Sequence, residues 1–419
     1  MPSKMRDIRM KGFAERADVE EVLAFLAEHA RALPGEAVAL RDCAGRVLAE
    51  EVSAGVDVPG FRRSAMDGYA LRGEDSFGAS AYAPLSLRVL GQSLPGSPFA
   101  GRVEPGCAVR IMTGAPVPEG ADAVVMAEVC EEVGDRVEVS EPVAPRKHVS
   151  AVGEDIRKGE SLLRPGRRLR PQDVGLLASI GVGEVLCIAR PRVRLVITGD
   201  ELLPPGSRPE GSRIVDSNSP MLAALVERDG GRLLPHEILP DRPEVLRAAL
   251  EAGDAEVVLV SGGSSVGQED HAPRLVAELG QLDVHGIAMR PSSPAGVGRI
   301  DGRLVFLLPG NPVSCLCAYE FFAGPSLRAL GGRSRDWPHR RVRRPLARKL
   351  SSAIGRTDYV RVALEAGRVV PLATSGASIL SSTVRADGCV IVPRALEGLP
   401  EGAEVEVRLY DDAGPEPSP

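Results

Sequence analysis

Three apolar runs of this 419-residue chain end in turns rich in glycine or proline: Thr198-Gly199-Asp200-Glu201-Leu202, Ser261-Gly262-Gly263-Ser264-Ser265-Val266-Gly267 and Leu308-Pro309-Gly310-Asn311-Pro312-Val313-Ser314. Glycines let backbone N–H groups approach an anion closely, and a helix starting beside them adds the positive end of its dipole. One such contact contributes about 0.3 to 1 kcal/mol, so several turns must converge to hold a phosphate usefully. Any one of the turns taken alone reads equally well as an ordinary strand-to-helix loop.

Carboxylates crowd the same turns. Asp200 and Glu201 lie in the first, Asp216 precedes Ser217 in an Asp-Ser-Asn-Ser run, Asp241 sits at an expected helix start, and Glu269 and Asp270 follow the second turn. Two like charges about 4 Å apart repel by roughly 4 kcal/mol at an effective dielectric of 20, and an anionic ligand adds to the repulsion. A hard divalent cation such as Mg2+, held by one or two carboxylates plus ligand phosphates, resolves the conflict. Glu201 and Asp270 are its expected ligands; Asp216 and Asp241 read also as helix caps, and Glu269 as a solvated charge. The spacing shows no Walker lysine and no Ser-His-Asp constellation, and Cys315 and Cys317 fall on different sides of a helix as inert thiols.

The turns need a frame. Val193 to Ile197, Val257 to Val260 and Leu304 to Leu308 are nearly all apolar, as parallel strands covered on both faces must be. Helices are expected between them: one from Ser219, with Pro220 in its first turn and Gly230-Gly231 past its end, and one near Asp241, with Pro243 inside its start and Gly253 closing it. Strand alternating with helix predicts a doubly wound, mostly parallel α/β domain over 191-333.

Around it the pattern changes. Asp18 to Leu33 predicts a helix, with Asp18 and Glu21 as a capping box and Pro34 as its stop, packed against the segment that follows it. Short apolar runs at Leu85 to Leu90, Ala108 to Met112 and Ala123 to Met126 predict a compact β domain over 57-148, inserted into a helical linker domain of 1-56 and 149-190 whose second helix opens at Pro171. Runs at Tyr359 to Leu364, Cys389 to Val392 and Ala403 to Leu409 predict a small C-terminal β domain over 334-412, and 413-419 reads as a disordered tail.

Composition narrows the function classes. A net charge of −6 without a basic stripe argues against nucleic acid, and no run approaches the length of a membrane span. Seven scattered cysteines suit reduced, buried thiols, and the absence of an apolar leader points to the cytoplasm.

The motifs resemble the MoeA family, the molybdopterin molybdenumtransferases related to the E domain of gephyrin, along nearly the whole chain. The resemblance rests on Gly45 to Glu50 (GRVLAE), Ser64 to Ala70 (SAMDGYA), Arg110 to Val125 (RIMTGAPVPEGADAVV), Gly153 to Ile156 (GEDI), Asp216 to Ser219 and the three turns. It implies an enzyme of molybdenum cofactor biosynthesis that inserts molybdate into adenylylated molybdopterin with Mg2+-dependent release of AMP. It implies a homodimer in which the inserted domain of one subunit faces the pterin-binding domain of the other, with a molybdopterin adenylyltransferase as a candidate partner. Asp67 and Thr113 are then expected at the cleft, catalytic together with Glu201, Asp241 and Asp270, and Asp155 joins the family's functional carboxylates. Substrate-binding residues are expected at Thr198, Gly199, Asp200, Asp216, Ser217, Ser261, Gly262, Gly263, Ser265 and Gly267, and in the third turn at Pro309, Gly310, Asn311 and Pro312.

One segment departs from the pattern. Where the family shows Met-Lys-Pro-Gly-Lys-Pro, this chain has Met289-Arg290-Pro291-Ser292-Ser293-Pro294. Arg290 keeps one positive charge with a planar fork suited to an oxyanion, and Ser293 supplies only a hydroxyl. That departure keeps open a tungstate-preferring or pterin-binding paralogue with reduced turnover; the gephyrin resemblance keeps open a non-enzymatic dimeric scaffold.

Overall fold

The computed structural model describes residues 16–262, 271–373 and 376–411. The chain divides into two units, Ala37–Cys187 and a second made of Met1–Glu36 with Ile188–Pro419.

The Ala37–Cys187 unit carries a six-stranded sheet in which Gly68–Leu71 runs between Ala123–Met126 and Cys107–Ile111, antiparallel to both. Leu85–Ser93 pairs in parallel with Cys107–Ile111 and antiparallel with Arg136–Val139. Tyr69, Leu71, Ala108, Val125 and Val137 fill one face of this sheet, and Ala70, Val109, Ile111 and Val124 the other, which is the alternation that a strand period of two requires. The flanking segments hold short strand pairs, such as Val52–Ser53 with Ser161–Leu163, and a helix at Pro171–Ser179 that opens on its proline.

In the other unit, the expected strands form at Arg192–Thr198, Val257–Ser261 and Arg303–Leu308, parallel and in register, with Ile197 opposite Ser261 and Ser261 opposite Leu308. Their carboxyl ends therefore stop at one edge. Arg232–Leu233 and Ile238–Leu239 extend the sheet in parallel, whereas Gly296–Ile300 and Gln281–His285 extend it antiparallel. Val196, Val258, Val260 and Leu307 pack under the helices Pro243–Glu251 and Ala272–Leu279, while Val193, Leu195, Ile197 and Leu259 face the helix Asn218–Arg228 and the segment from Pro312 onward. Both faces are covered, so every residue of the Val257–Ser261 strand is buried.

The first helix, Val19–His29, ends sooner than expected and packs elsewhere. Glu21 Oε2 accepts from the Asp18 backbone N–H at 3.1 Å, closing that half of the capping box. Val19, Val22 and Leu26 are buried in one cluster with Phe321, Phe322 and Leu330, on the α/β body and not on the segment that follows the helix. A bond from Leu33 N to Leu330 O (2.9 Å) fixes the chain after the helix there too. The apolar stripe of the helix shares one buried cluster with the Tyr319–Ala323 π-helical turn.

Strands Arg341–Pro345, Thr357–Glu365, Arg368–Ala373, Gly388–Val392 and Glu404–Leu409 form the C-terminal sheet around Val360, Val362, Val390 and Val407. Met289–Arg290 joins it in parallel beside Thr357 and Asp358, so the departing segment is anchored to this sheet. All seven cysteines are free, and burial pushes the Cys315 thiol up to about 12. No described helix is long and apolar enough to cross a membrane.

Candidate functional site

The first and third turns and the described start of the second, Ser261 and Gly262, lie together because the register of their strands aligns them. Gly262 adopts φ +103°, and a Cβ there would meet Thr198 O at 2.2 Å. A Cβ on Gly310 would lie 4.0 Å from Gly262 Cα. Asn218 ties the edge together, its Nδ2 donating to Ser261 Oγ at 2.9 Å and to Gly310 O at 2.8 Å. Pro312 opens the helix Pro312–Ala318, and Asn311 Oδ1 accepts from Ser378 Oγ at 2.7 Å, so the C-terminal part of the unit reaches the third turn. Gly263, Ser265, Gly267 and Asp270, with Ser264 and Glu269, lie outside the described residues.

The expected carboxylates divide. Asp216 is buried: Oδ1 accepts from the N–H groups of Asn218 (2.9 Å) and Ser219 (3.1 Å), and Oδ2 from Ser219 Oγ. Both oxygens thus serve the start of the Asn218–Arg228 helix, which is the capping alternative. Ser217 precedes that helix as its N-cap. Asp241 does not cap its helix, whose N-cap is Arg242; its backbone N–H donates instead to Asp200 Oδ1 at 3.3 Å. That bond joins the first turn, which runs through Gly199, to the loop before Pro243, and Glu201 is exposed beside it. Among the described residues no three His, Cys, Asp or Glu side chains form a metal cage. An oxygen-only donor set of one or two carboxylates suits a hard cation that completes its shell with ligand oxygens and water.

Arg290 does not stand free for an oxyanion, as its sequence context suggests. Its Nη2 donates to Asp358 Oδ2, and the same fully buried carboxylate accepts from Arg356 Nε at 3.0 Å and Ser352 Oγ at 2.8 Å. Two guanidiniums against one carboxylate leave one net positive charge. Ser293 Oγ is buried without a partner among the described residues. Neither Asn218 nor the Asp358 group is foreseen from sequence: the partners lie 43 to 92 residues from Asn218 and 68 residues separate Arg290 from Asp358.

Asp67, Thr113 and Asp155 belong to the other unit. Asp67 Oδ1 accepts from Thr113 N at 2.7 Å and Thr113 Oγ1 at 2.8 Å, so the structure brings these two together on an exposed loop. Those bonds, the backbone one first, hold the Asp67 carboxyl below its ordinary value. Asp155 is exposed, and its backbone N–H donates to Val58 O at 3.0 Å.

A doubly wound sheet with glycine turns at its strand ends, flanked by β modules, defines a multi-domain class built around a molybdopterin-binding type of domain, and residues 194–329 match the model described as a probable molybdopterin binding domain. Residues 17–181 match the MoeA N-terminal region (domains I and II), and 343–410 the MoeA C-terminal region (domain IV). Molybdopterin molybdenumtransferase 2 of Mycobacterium tuberculosis is 35% identical over 93% of this chain and 98% of its own. Molybdopterin molybdenumtransferase of Haemophilus influenzae is 32% identical over 89% and 93%. The crystal structure of a molybdopterin biosynthesis MoeA protein from Pyrococcus horikosii superposes with a TM-score of 0.80 at 34% identity, covering 95% of this chain and 100% of that one. The chain belongs to the MoeA family.

Proposed function

We propose that this chain inserts molybdate into adenylylated molybdopterin with Mg2+-dependent release of AMP, as a cytoplasmic homodimer supplied by a molybdopterin adenylyltransferase. The observation that carries the reading is the Asn218 tie, which holds two strand-end turns at one edge where backbone groups meet an anionic ligand. Thr198, Gly199, Ser261 and Gly262 line that edge with Pro309, Gly310, Asn311 and Pro312, and Gly263, Ser265 and Gly267 of the second turn's sequence are proposed to bind the substrate as well. Glu201 and Asp270 are the carboxylates that would hold the cation, and Asp241 is a further catalytic carboxylate. A divalent cation held by these residues would supply charge neutralisation for a phosphate ligand and its leaving group. Asp67, kept charged by Thr113, and Asp155 are the inserted unit's contributions to the chemistry.

The experiment is single-turnover AMP release from adenylylated molybdopterin, with molybdate and Mg2+ supplied or withheld. Release should need both, and Glu201→Gln should lower it about a hundredfold, because the cation that stabilises developing charge loses a ligand. Release that ignores molybdate, or that survives the substitution, overturns the reading. The pairing of Arg290 with Asp358 favours one second reading, a paralogue with altered oxyanion preference, because the charge is already shared within the protein. Faster release with tungstate than with molybdate in the same assay selects it.

A further inference from the structure

Asn218 is 7% exposed, and the direction of its amide is determined by its neighbours. The Gly310 carbonyl only accepts, so Nδ2 must face it, and Oδ1 points away from both Gly310 and Ser261. Oδ1 has no hydrogen-bond partner among the described residues. Thr198 at the end of the adjacent strand is 5% exposed, and its Oγ1 likewise has no partner. Between these strand ends Gly262 admits no side chain, since a Cβ would meet Thr198 Oγ1 at 2.9 Å as well as the carbonyl at 2.2 Å. Buried polar atoms rarely go unpaired, and two at one sheet edge call for a ligand.

The chemistry of that ligand follows from the atom. An amide oxygen accepts and never donates, so it is unfavourable beside phosphate and oxometalate oxygens and takes an N–H or O–H donor or a cation; with the carboxylates assigned to the cation, a donor is what remains for it. The backbone of the turns serves the anionic end of the substrate, and Asn218 Oδ1 serves a different part of it. We propose that Asn218 is a specificity-determining residue whose Oδ1 accepts from an N–H group of the substrate's heterocycle, with Thr198 Oγ1 as a second polar contact. Nδ2 holds the amide in that orientation through Ser261 and Gly310. This assignment rests on the proposed function, and the N–H donor belongs either to the pterin or to the adenine.

Anaerobic titration calorimetry of the full chain with molybdopterin, with AMP and with inorganic phosphate tests it. Asn218→Ala removes the tie to Ser261 and Gly310 as well as the acceptor, so phosphate binding should weaken somewhat, but one heterocyclic ligand should weaken about tenfold more than phosphate does, because only the heterocycle loses an acceptor too. Thr198→Val removes no bond within the described protein, so its Tm should not fall, yet the same ligand should bind several-fold more weakly. A loss confined to molybdopterin assigns the pterin edge, and a loss confined to AMP assigns the adenine. A uniform loss for all three ligands in Asn218→Ala, with Thr198→Val unchanged, makes the amide a structural tie and overturns the assignment. If Asn218→Ala does not fold, Thr198→Val decides alone. Wild-type protein that binds neither heterocycle overturns the proposed function; wild-type binding that both variants retain overturns only this inference.

Discussion

Asp67 stays charged to lower pH than an ordinary aspartate because Thr113 donates to it twice, from the backbone N–H and from the hydroxyl. The two donors are separable by chemistry. Thr113→Val keeps the larger influence, the backbone bond, and deletes the hydroxyl. The Asp67 pKa in the variant should therefore rise above the wild-type value while staying below that of a free aspartate, read from carboxyl-carbon chemical shifts across a pH titration. A return all the way to the free value would show that the loop itself depends on the hydroxyl. Residue-scale reasoning from sequence paired these two positions only through a resemblance, since 46 residues separate them. It did not foresee the partner of Arg290 for a like reason: the buried Asp358 that shares its charge lies 68 residues away.

At the scale of elements, the crossing from strand to turn is where sequence spoke most clearly. Val257 to Val260 read as a strand buried on both faces because a parallel central strand has no polar side to show, and the strand forms at Val257–Ser261. The glycine that ends it is constrained in the same way. Gly262→Ala puts a Cβ 2.2 Å from Thr198 O at φ +103°, so the backbone of one strand end must move. Left-handed strain alone costs about 1–3 kcal/mol, and the clash adds to it. Gly253, past the Pro243–Glu251 helix, meets nothing within 4 Å and has no positive φ. Gly253→Ala should therefore stay within about 0.5 kcal/mol of wild type in urea unfolding while Gly262→Ala falls by at least about 1 kcal/mol. Equal stabilities would mean that the turn yields without strain. What local pattern did not show was the π-helical turn Tyr319–Ala323, whose extra residue per turn has no hydrophobic periodicity of its own. The docking of Val19–His29 upon it was hidden with it, because that contact joins residues some 300 positions apart.

For the molecule as a whole, that π turn carries a buried charge that acid removes. Glu320 is 3% exposed; Oε1 accepts from Arg228 Nη1 at 2.6 Å and lies 3.3 Å from His339 Nε2. Arg228 also reaches Asp229 at 2.9 Å, and Asp229 accepts from Arg328 at 2.8 Å, so one buried network links the Asn218–Arg228 helix, the π turn and the Gly324–Leu330 helix. Burial, the largest single influence on Glu320, pushes its carboxyl up, but His339 and Arg228 together outweigh it and bring the value down to about 2 from 4.5. The folded value lies below the unfolded one, so the stabilisation is complete above about pH 4.5 and is lost as pH falls toward 2. Glu320→Gln removes that proton linkage and leaves the Arg228 guanidinium with Asp229 as its remaining carboxylate, which costs about 1.5–3 kcal/mol at neutral pH. Urea unfolding of wild type and variant from pH 7 to pH 3 should give curves that converge, since wild type loses with acid what the variant never had. Parallel curves across that range would mean that other carboxylates govern acid unfolding and that this network contributes through packing alone.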